Sequence, residues 1–396
     1  MQTKILILMS DTGGGHRAAA EAIAEATALL YGNQITVRIV DAWRDHSPWP
    51  LNQIGGAYPW LVSDGLWLWQ ALWRTDGKRW PTQVAARLIF PVAAPSLAKM
   101  FRAEAPGLVV TVHPILNHIC LRVLRETLKS DVPYVTVVTD LVTAHSAWFC
   151  PCVDYCVVPT QAARQRALRY GMPPARVEAI GQPVGLEFAM GLEERHCLRG
   201  KLSLDTERPA VLLVSGGEGM GPVYETARAV ATRASGAQLI VVAGRNAALR
   251  QKLEATAWEI PTRVYGFVNN MPELMGASDV LITKAGPGTL SEAFIAGLPV
   301  LMFSFIPGQE EGNVDYVLEH KAGAYASDPA EIGCLIQQWL KPNNCQLRQM
   351  ATNAAALARP QASLTIARRL HRLLHEKSTR TNVTENKPVL VKKTQL

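Results

Sequence analysis

The sequence predicts an α/β protein of two doubly wound, Rossmann-like domains that face each other across a central cleft. Three observations lead there. Short β-branched runs alternate with helical stretches, the alternation breaks once and then resumes, and each half opens with an apolar strand running directly into a glycine-rich turn, "LMSDTGGGH" and "LVSGGEGMGP". Such alternation builds parallel sheets flanked by helices, whose ligands bind at the carboxyl ends of the strands. A length of 396 residues suits two domains, each large enough to bury its own core.

Composition narrows the class. An apolar content of 48% with only 18% charged residues argues against wholesale disorder and against a nucleic-acid binder saturated with basic groups, so no nucleic acid is expected as a partner. The net charge of +7 is unevenly placed: between Arg74 and Arg102 stand Arg74, Lys78, Arg79, Arg87, Lys99 and Arg102 against a single acid, Asp76. That segment suits an anionic surface. No run reaches the ~18 uninterrupted apolar residues of a membrane span, the N-terminal apolar run is too short for a signal peptide, and the seven cysteines form no even framework. A cytoplasmic protein is expected.

The elements follow in order. Strands are predicted at 5–9, 36–40, 108–112, 134–139 and 155–158. After Pro183 the charged stretch "GLEERHCLRGKLSLDTERP" interrupts the rhythm, and strands resume at 210–214, 238–243, 263–266, 280–283 and 299–303. The first domain is thus placed at 1–190 and the second at 205–376. "SLTIARRLHRLLHE" carries an apolar stripe through Leu364, Ala367, Leu370 and Leu374 and reads as a helix packed on the fold, and 377–396 reads as a disordered tail.

Seven of the ten tryptophans, Trp43, Trp49, Trp60, Trp67, Trp69, Trp73 and Trp80, fall beside the basic segment. In "YPWLVSDGLWLWQALWR", Trp69 and Trp73 share a helical face. Tryptophan favours the membrane–water interface and amphipathic segments with basic flanks lie in it; an aromatic internal core is the competing reading.

Several turns carry chemistry. In "SGGEGMGP" the glycines Gly217, Gly219 and Gly221 let backbone N–H groups approach an anion, although the Gly-Lys-Ser/Thr ending of an ATP-binding loop is missing. In "ITKAGPGTLSEAF" a strand ends at Gly286–Gly288, a helix begins, and Glu292 lies one turn inside it, placed to accept ribose hydroxyls or simply to complement the helix dipole. Gln309 and Glu310 in "GQEEGN" follow a Pro-Gly turn at another strand end and suit the hydroxyls of a sugar. "CPCVDYC" and "HPILNH" lack the spacing of a metal site, and no metal is expected.

Together the stretches "SDTGGGHRAAAEAI", "DAWRDHSPWPLNQ", "VTDLVTAHSAWF", "SGGEGMGP", "AGRN" and "ITKAGPGTLSEAFIAGLPV…GQEEGN" resemble the monogalactosyldiacylglycerol synthases and their bacterial diacylglycerol glucosyltransferase relatives, among the MurG-like inverting glycosyltransferases of the GT-B fold. The resemblance spans about residues 5 to 330. It implies transfer of galactose from a UDP-hexose to diacylglycerol at an anionic lipid surface, by a peripheral protein on the cytoplasmic face of the cell membrane, with no metal or other cofactor. Glucose as donor sugar, a polyprenyl-linked acceptor, and a UDP-sugar sensor without turnover are the competing readings.

The same resemblance assigns roles. Gly216, Gly217, Glu218, Gly219, Met220 and Gly221 match the diphosphate turn, with Gly286, Gly288 and Thr289 in the second donor-side turn. Arg245 matches a donor-site position, Phe267 and Val268 the segment bordering the uracil, Glu292 the ribose carboxylate, and Gln309 and Glu310 the pair facing the hexose. His16 is expected to take the proton of the attacking hydroxyl with a pKa near neutrality, Asp11 to orient it or the acceptor, and Gly14 and Gly15 to let the backbone approach. His145, Trp60, Trp67, Trp69 and Trp73 are expected on the acceptor and membrane side.

Overall fold

The computed structural model describes residues 3–385 apart from Gly13, Ser63 and Lys78. Strands β1 (Thr3–Met9), β2 (Ile35–Asp41), β3 (Leu108–Thr111), β4 (Tyr134–Val137), β5 (Tyr155–Val158) and β6 (Val177–Ala179) form one parallel sheet in the order β2-β1-β3-β4-β5-β6. Strands β7 (Ala210–Val214), β8 (Gln238–Val242), β9 (Thr262–Tyr265), β10 (Val280–Lys284), β11 (Val300–Ser304) and β12 (Gly323–Tyr325) form the second, in the order β12-β11-β10-β7-β8-β9. Helices cover both faces of each sheet, so β1, β3, β4 and β7 are buried along nearly their whole length and read as unbroken apolar runs. This is the α/β, GT-B arrangement the sequence predicts. The strands β6 and β12, each of three residues, are additions to it.

Both sheets reverse their strand order at one place, between β1 and β3 in the first and between β7 and β10 in the second. The loops leaving the two central strands diverge there and open a crevice, which is why ligands of such sheets bind at the reversal. The glycine turns Ser10–Gly15 and Ser215–Gly221 are the exits of β1 and β7.

The last helix, Ala362–Glu385, corrects the sequence-based boundaries. It continues through 377–385, expected to be disordered; 386–396 lie outside the described residues. It also returns to the first domain: Ile366 and Leu370 are buried in one core with Ile5, Ile7, Ala20 and Ile23, and Ala367 packs with Ala26 and Leu186. His371 stacks on Tyr31, ring centroids 4.1 Å apart. The apolar stripe finds its complement on the helix Gly15–Tyr31.

The tryptophan-rich segment folds into the helices Ile54–Val62, Leu66–Trp73 and Arg79–Glu104. The third is long and apolar enough to cross a membrane by length and composition, which the run of residues does not announce because charged side chains interrupt it. Its second half is committed to the protein core through Ala93, Leu97, Ala98 and Phe101, while Val84, Leu88 and Val92 leave a stripe facing outward. Asp76, the single acid among the basic residues, ties the segment down: its carboxylate accepts from Arg166, from the Tyr170 hydroxyl at 3.1 Å and from the Ser146 N–H at 2.8 Å.

Leu370→Ala should lower the unfolding free energy by about 2–5 kcal/mol, the range for deleting a buried leucine side chain, read from the denaturant midpoint. An unchanged midpoint would place the helix off the core.

Candidate active site

The first glycine turn is shaped from outside. The Asp41 carboxylate, buried at the end of β2, accepts the Asp11 N–H at 3.1 Å and the Arg44 N–H at 3.0 Å, and so bends the chain as it leaves β1. Helix Gly15–Tyr31 begins with Gly14 as its cap, without a side-chain capping bond or an acid in its first turn. Its first N–H groups remain available to an anion or a polar ligand, and a side chain at Gly14 or Gly15 would meet only open space.

His16 stands at the first sheet's reversal point. Its Nδ1 lies 3.0 Å from Thr139 Oγ1, its ring meets His113 edge-on at 4.8 Å, and the buried Trp148 ring is 6.0 Å away. Burial pushes its pKa down to about 4, against a smaller upward pull from a backbone hydrogen bond at Val112 and the Asp11 charge. The ring is therefore neutral at pH 7, further below neutrality than the sequence-based expectation. Asp11 is not what orients it: both Asp11 oxygens accept from Arg17, at 2.9 Å from Nε and 2.6 Å from a terminal nitrogen, and this guanidinium holds the carboxyl below its ordinary range. Thr139 and the Val112 backbone hold the ring, and the sequence reading assigned neither to this role. His113 is buried, with its Nε2 3.3 Å from Thr12 Oγ1.

The second domain supplies two glycine turns. Gly216, Gly219 and Gly221 have φ of +66°, +59° and +89°, and a Cβ at Gly219 would lie 2.2 Å from the Ala243 carbonyl oxygen, so this loop requires glycine. Arg245 donates its backbone N–H to the Gly217 carbonyl at 2.8 Å, pairs with Glu218 at 2.8 Å and lies 4.4 Å above the Phe267 ring. Phe267 is exposed and Val268 half-buried, and the Arg245 guanidinium covers one face of the phenyl ring. Across the reversal, Gly286 caps helix Pro287–Ile295 with no side-chain capping bond, so N–H groups near Gly288 and Thr289 point outward uncapped. Glu292, inside that helix, has its pKa raised to about 7 by burial and, less, by the charge of Glu187.

The two domains meet at Gln309. Its Nε2 donates to Asp140 Oδ1 at 3.0 Å, its Oε1 accepts from the Tyr58 hydroxyl at 3.3 Å, and its carbonyl accepts from Thr143 Oγ1 at 2.6 Å. The other Asp140 oxygen accepts from Trp148 Nε1 at 2.5 Å, and burial raises this carboxyl to about 6 against those two bonds. A chain of contacts thus runs from His16 through Trp148 and Asp140 to Gln309. Glu310 does not share the position expected of it: only 2% exposed, it is turned inward, with Oε1 2.5 Å from Lys284 Nζ and Oε2 accepting the Ile306 N–H at 3.0 Å.

The aromatic assignments divide. Trp60 and Trp67 are exposed, at 51% and 69%. Trp69 and Trp73, expected on the acceptor and membrane side, turn onto the second domain: Trp69 Nε1 donates to the Pro307 carbonyl at 3.0 Å, and a Cβ at Gly308 would lie 2.9 Å from the Trp73 ring. An indole N–H that finds a carbonyl partner is satisfied inside the protein. His145 caps the turn Ser146–Trp148, its Nδ1 accepting the Ala147 N–H at 3.1 Å, with its ring edge-on to Trp73 at 5.0 Å.

Residues 16–184 match the family model of monogalactosyldiacylglycerol (MGDG) synthase, and residues 211–368 match that of the glycosyltransferase family 28 C-terminal domain. The chain is 41% identical over 383 residues to a probable monogalactosyldiacylglycerol synthase, chloroplastic, of Glycine max, covering 95% of this chain and 72% of that one. It is 40% identical over 385 residues to monogalactosyldiacylglycerol synthase 1, chloroplastic, of Arabidopsis thaliana, again over 95% of this chain and 72% of the relative. Both are described as chloroplastic, which corrects the expectation of the cytoplasmic face of the cell membrane. Among solved structures, MurG of Acinetobacter baumannii shares the fold, with a TM-score of 0.61 at 15% identity over 93% of this chain and 99% of that one.

The depressed His16 pKa has a sign that can be checked. An unfolded histidine takes its proton near 6.5 and the folded one near 4, so this group withdraws stability as pH falls through that window and contributes nothing above it. In a His16→Gln variant, the acid-side loss of unfolding free energy between pH 6.5 and 4 should be smaller than in the unsubstituted protein, measured by denaturant titration at each pH. Identical slopes would contradict the lowered pKa of this half-buried ring.

Proposed function

Because the chain belongs to the monogalactosyldiacylglycerol synthase family and is a glycosyltransferase, we propose that it transfers galactose from UDP-galactose to the free hydroxyl of 1,2-diacylglycerol, inverting the anomeric carbon. The observation that carries this reading is the cross-cleft chain from His16 to Gln309, which sets a neutral base on one side against a sugar-binding amide on the other.

In this reading the acceptor oxygen attacks the anomeric carbon while the bond from that carbon to the UDP oxygen breaks, through a transition state with oxocarbenium character. His16 takes the hydroxyl proton; its neutrality at pH 7 keeps it ready to do so. Negative charge develops on the departing diphosphate. The N–H groups of the two glycine turns, the uncapped helix Pro287–Ile295 and Arg245 are arranged to stabilise it, supplying the positive field that a metal ion provides in other transferases. Glu292 receives the ribose hydroxyls and Phe267 borders the uracil. Gln309 enters with its amide orientation already set by Tyr58 and Asp140, which lowers the cost of ordering it on the sugar.

A lipid surface as partner is supported by the exposed side chains of Trp60, Trp67, Leu88 and Val92, next to the exposed Arg87. Indole rings sit at the bilayer interface and cationic side chains meet anionic headgroups there.

Purified protein with diacylglycerol in mixed micelles, offered labelled UDP-galactose and UDP-glucose separately, should yield one glycolipid from UDP-galactose. Turnover with UDP-glucose alone would reassign the donor, and none with either would favour a sensor or another acceptor. His16→Ala should abolish transfer while UDP still binds in calorimetry. UDP affinity should also fall as pH drops below about 7, since Glu292 must be ionised to accept two hydroxyls; loss should approach tenfold per pH unit and flatten in Glu292→Gln.

A further inference from the structure

We propose that Lys284 is the diphosphate-binding cation of the donor site and that Glu310 is the positioning residue that holds its ammonium in place until the donor arrives. The inference rests on the UDP-sugar reading above. Lys284 is the last residue of β10, beside the reversal point, and nothing in its sequence context resembles a phosphate-binding lysine. Its side chain lies between the two glycine turns: Cε is 3.5 Å from where a Cβ on Gly216 would stand, and Nζ is 3.2 Å from where one on Gly286 would stand. Both turns need their glycines free of side chains if a diphosphate is to approach backbone N–H groups, and the ammonium occupies the middle of that space.

The ammonium is partly open to the cleft and its carboxylate is not, at 28% against 3% side-chain exposure. A buried carboxylate requires a cation, and with Lys284 at 2.5 Å and the Ile306 N–H at 3.0 Å both Glu310 oxygens have partners. On the opposite flank Arg245 pairs with Glu218 at 2.8 Å, with both side chains about half exposed. Lys284 and Arg245 are thus each paired with a carboxylate. A diphosphate presents more charge and more acceptor oxygens than either carboxylate, so it competes for the exposed side of Lys284 while Glu310, anchored through the Ile306 N–H, keeps the lysine from swinging away.

Lys284 and Glu310 also join two parts of the site. Glu310 is adjacent to Gln309, and Asn313 Nδ2 donates to the Ala285 carbonyl at 2.8 Å, so the turn that holds the hexose amide is tied to the turn that receives the diphosphate.

The test is calorimetric titration of the full chain with UDP and with uridine, which has no phosphate. Lys284→Met combined with Glu310→Met removes both charges and leaves no unpaired buried carboxylate. This double variant should bind UDP about 10- to 100-fold more weakly, the worth of a charge-assisted contact, with uridine affinity unchanged. Glu310→Gln keeps the lysine but removes the charge that holds it in place, and should weaken UDP binding by less than the double variant does, with uridine affinity unchanged; UDP affinity equal to or above that of the unsubstituted protein would overturn the positioning role. Equal loss of UDP and uridine binding in the double variant, or UDP affinity equal to that of the unsubstituted protein, would overturn the assignment and leave Lys284 a structural partner of Glu310. If the unsubstituted protein binds neither UDP nor uridine, the donor reading itself fails, and this inference with it.

Discussion

Parallel strands impose the arrangement on which the rest depends. A strand that runs parallel to its neighbour must return by a crossover, so all strands of a sheet leave by the same edge. Where the strand order reverses, adjacent exits part to opposite faces and leave the only place along that edge not covered by a connection. In the first sheet this brings the turn after β1 beside the turn after β3, and His16 meets His113 there although they stand 97 positions apart. In the second it brings the turn after β7 beside the turn after β10, and Lys284 comes between Gly216 and Gly286. The chemistry is assembled from loops; its address is set by topology.

Across the cleft, polar contacts gather at the turn that carries Gln309, beside the apolar contact of Leu141 and Val142 with the second domain's core. Gln309 alone receives or donates three hydrogen bonds to the first domain, and the indole of Trp69 adds a fourth contact through the Pro307 carbonyl. Such bonds contribute little net energy in exchange for those to water, about 1 kcal/mol each, but they are directional. They set the orientation of one amide to within the tolerance of a hydrogen bond. The helices that carry exposed tryptophan on one side thereby carry, on the other, the ring that packs on Gly308.

How much of this was legible in the sequence follows from the range over which each signal acts. Strands buried on both faces announce themselves as apolar β-branched runs, so β5 and β7 were read to the residue. The edge strands β6 and β12 are three residues long and carry no such run. Glycine turns are legible because glycine is chosen for its own backbone, as at Gly219. Asp140 and Gln309, by contrast, stand 169 positions apart, and Thr139 and His16 stand 123 apart. A polar residue after a strand gives no sign of which distant partner it meets. The resemblance to a family supplied Gln309 and Glu310 as a pair but could not show that one faces the cleft and the other the lysine. The contacts of Trp69 and Trp73 with the second domain were illegible for a related reason: an amphipathic ring suits a lipid interface and a domain interface equally until its N–H partner is known.

The return of the last helix to the first domain means that the backbone passes between the domains twice. A single linker would leave the second domain free to swivel about a bond as well as to tilt. Two covalent passages, one ahead of β7 and one ahead of Ala362, remove the swivel, since any twist that relaxes one connection strains the other. The two domains are thus held together by two covalent connections as well as by the bond from Gln309 to Asp140.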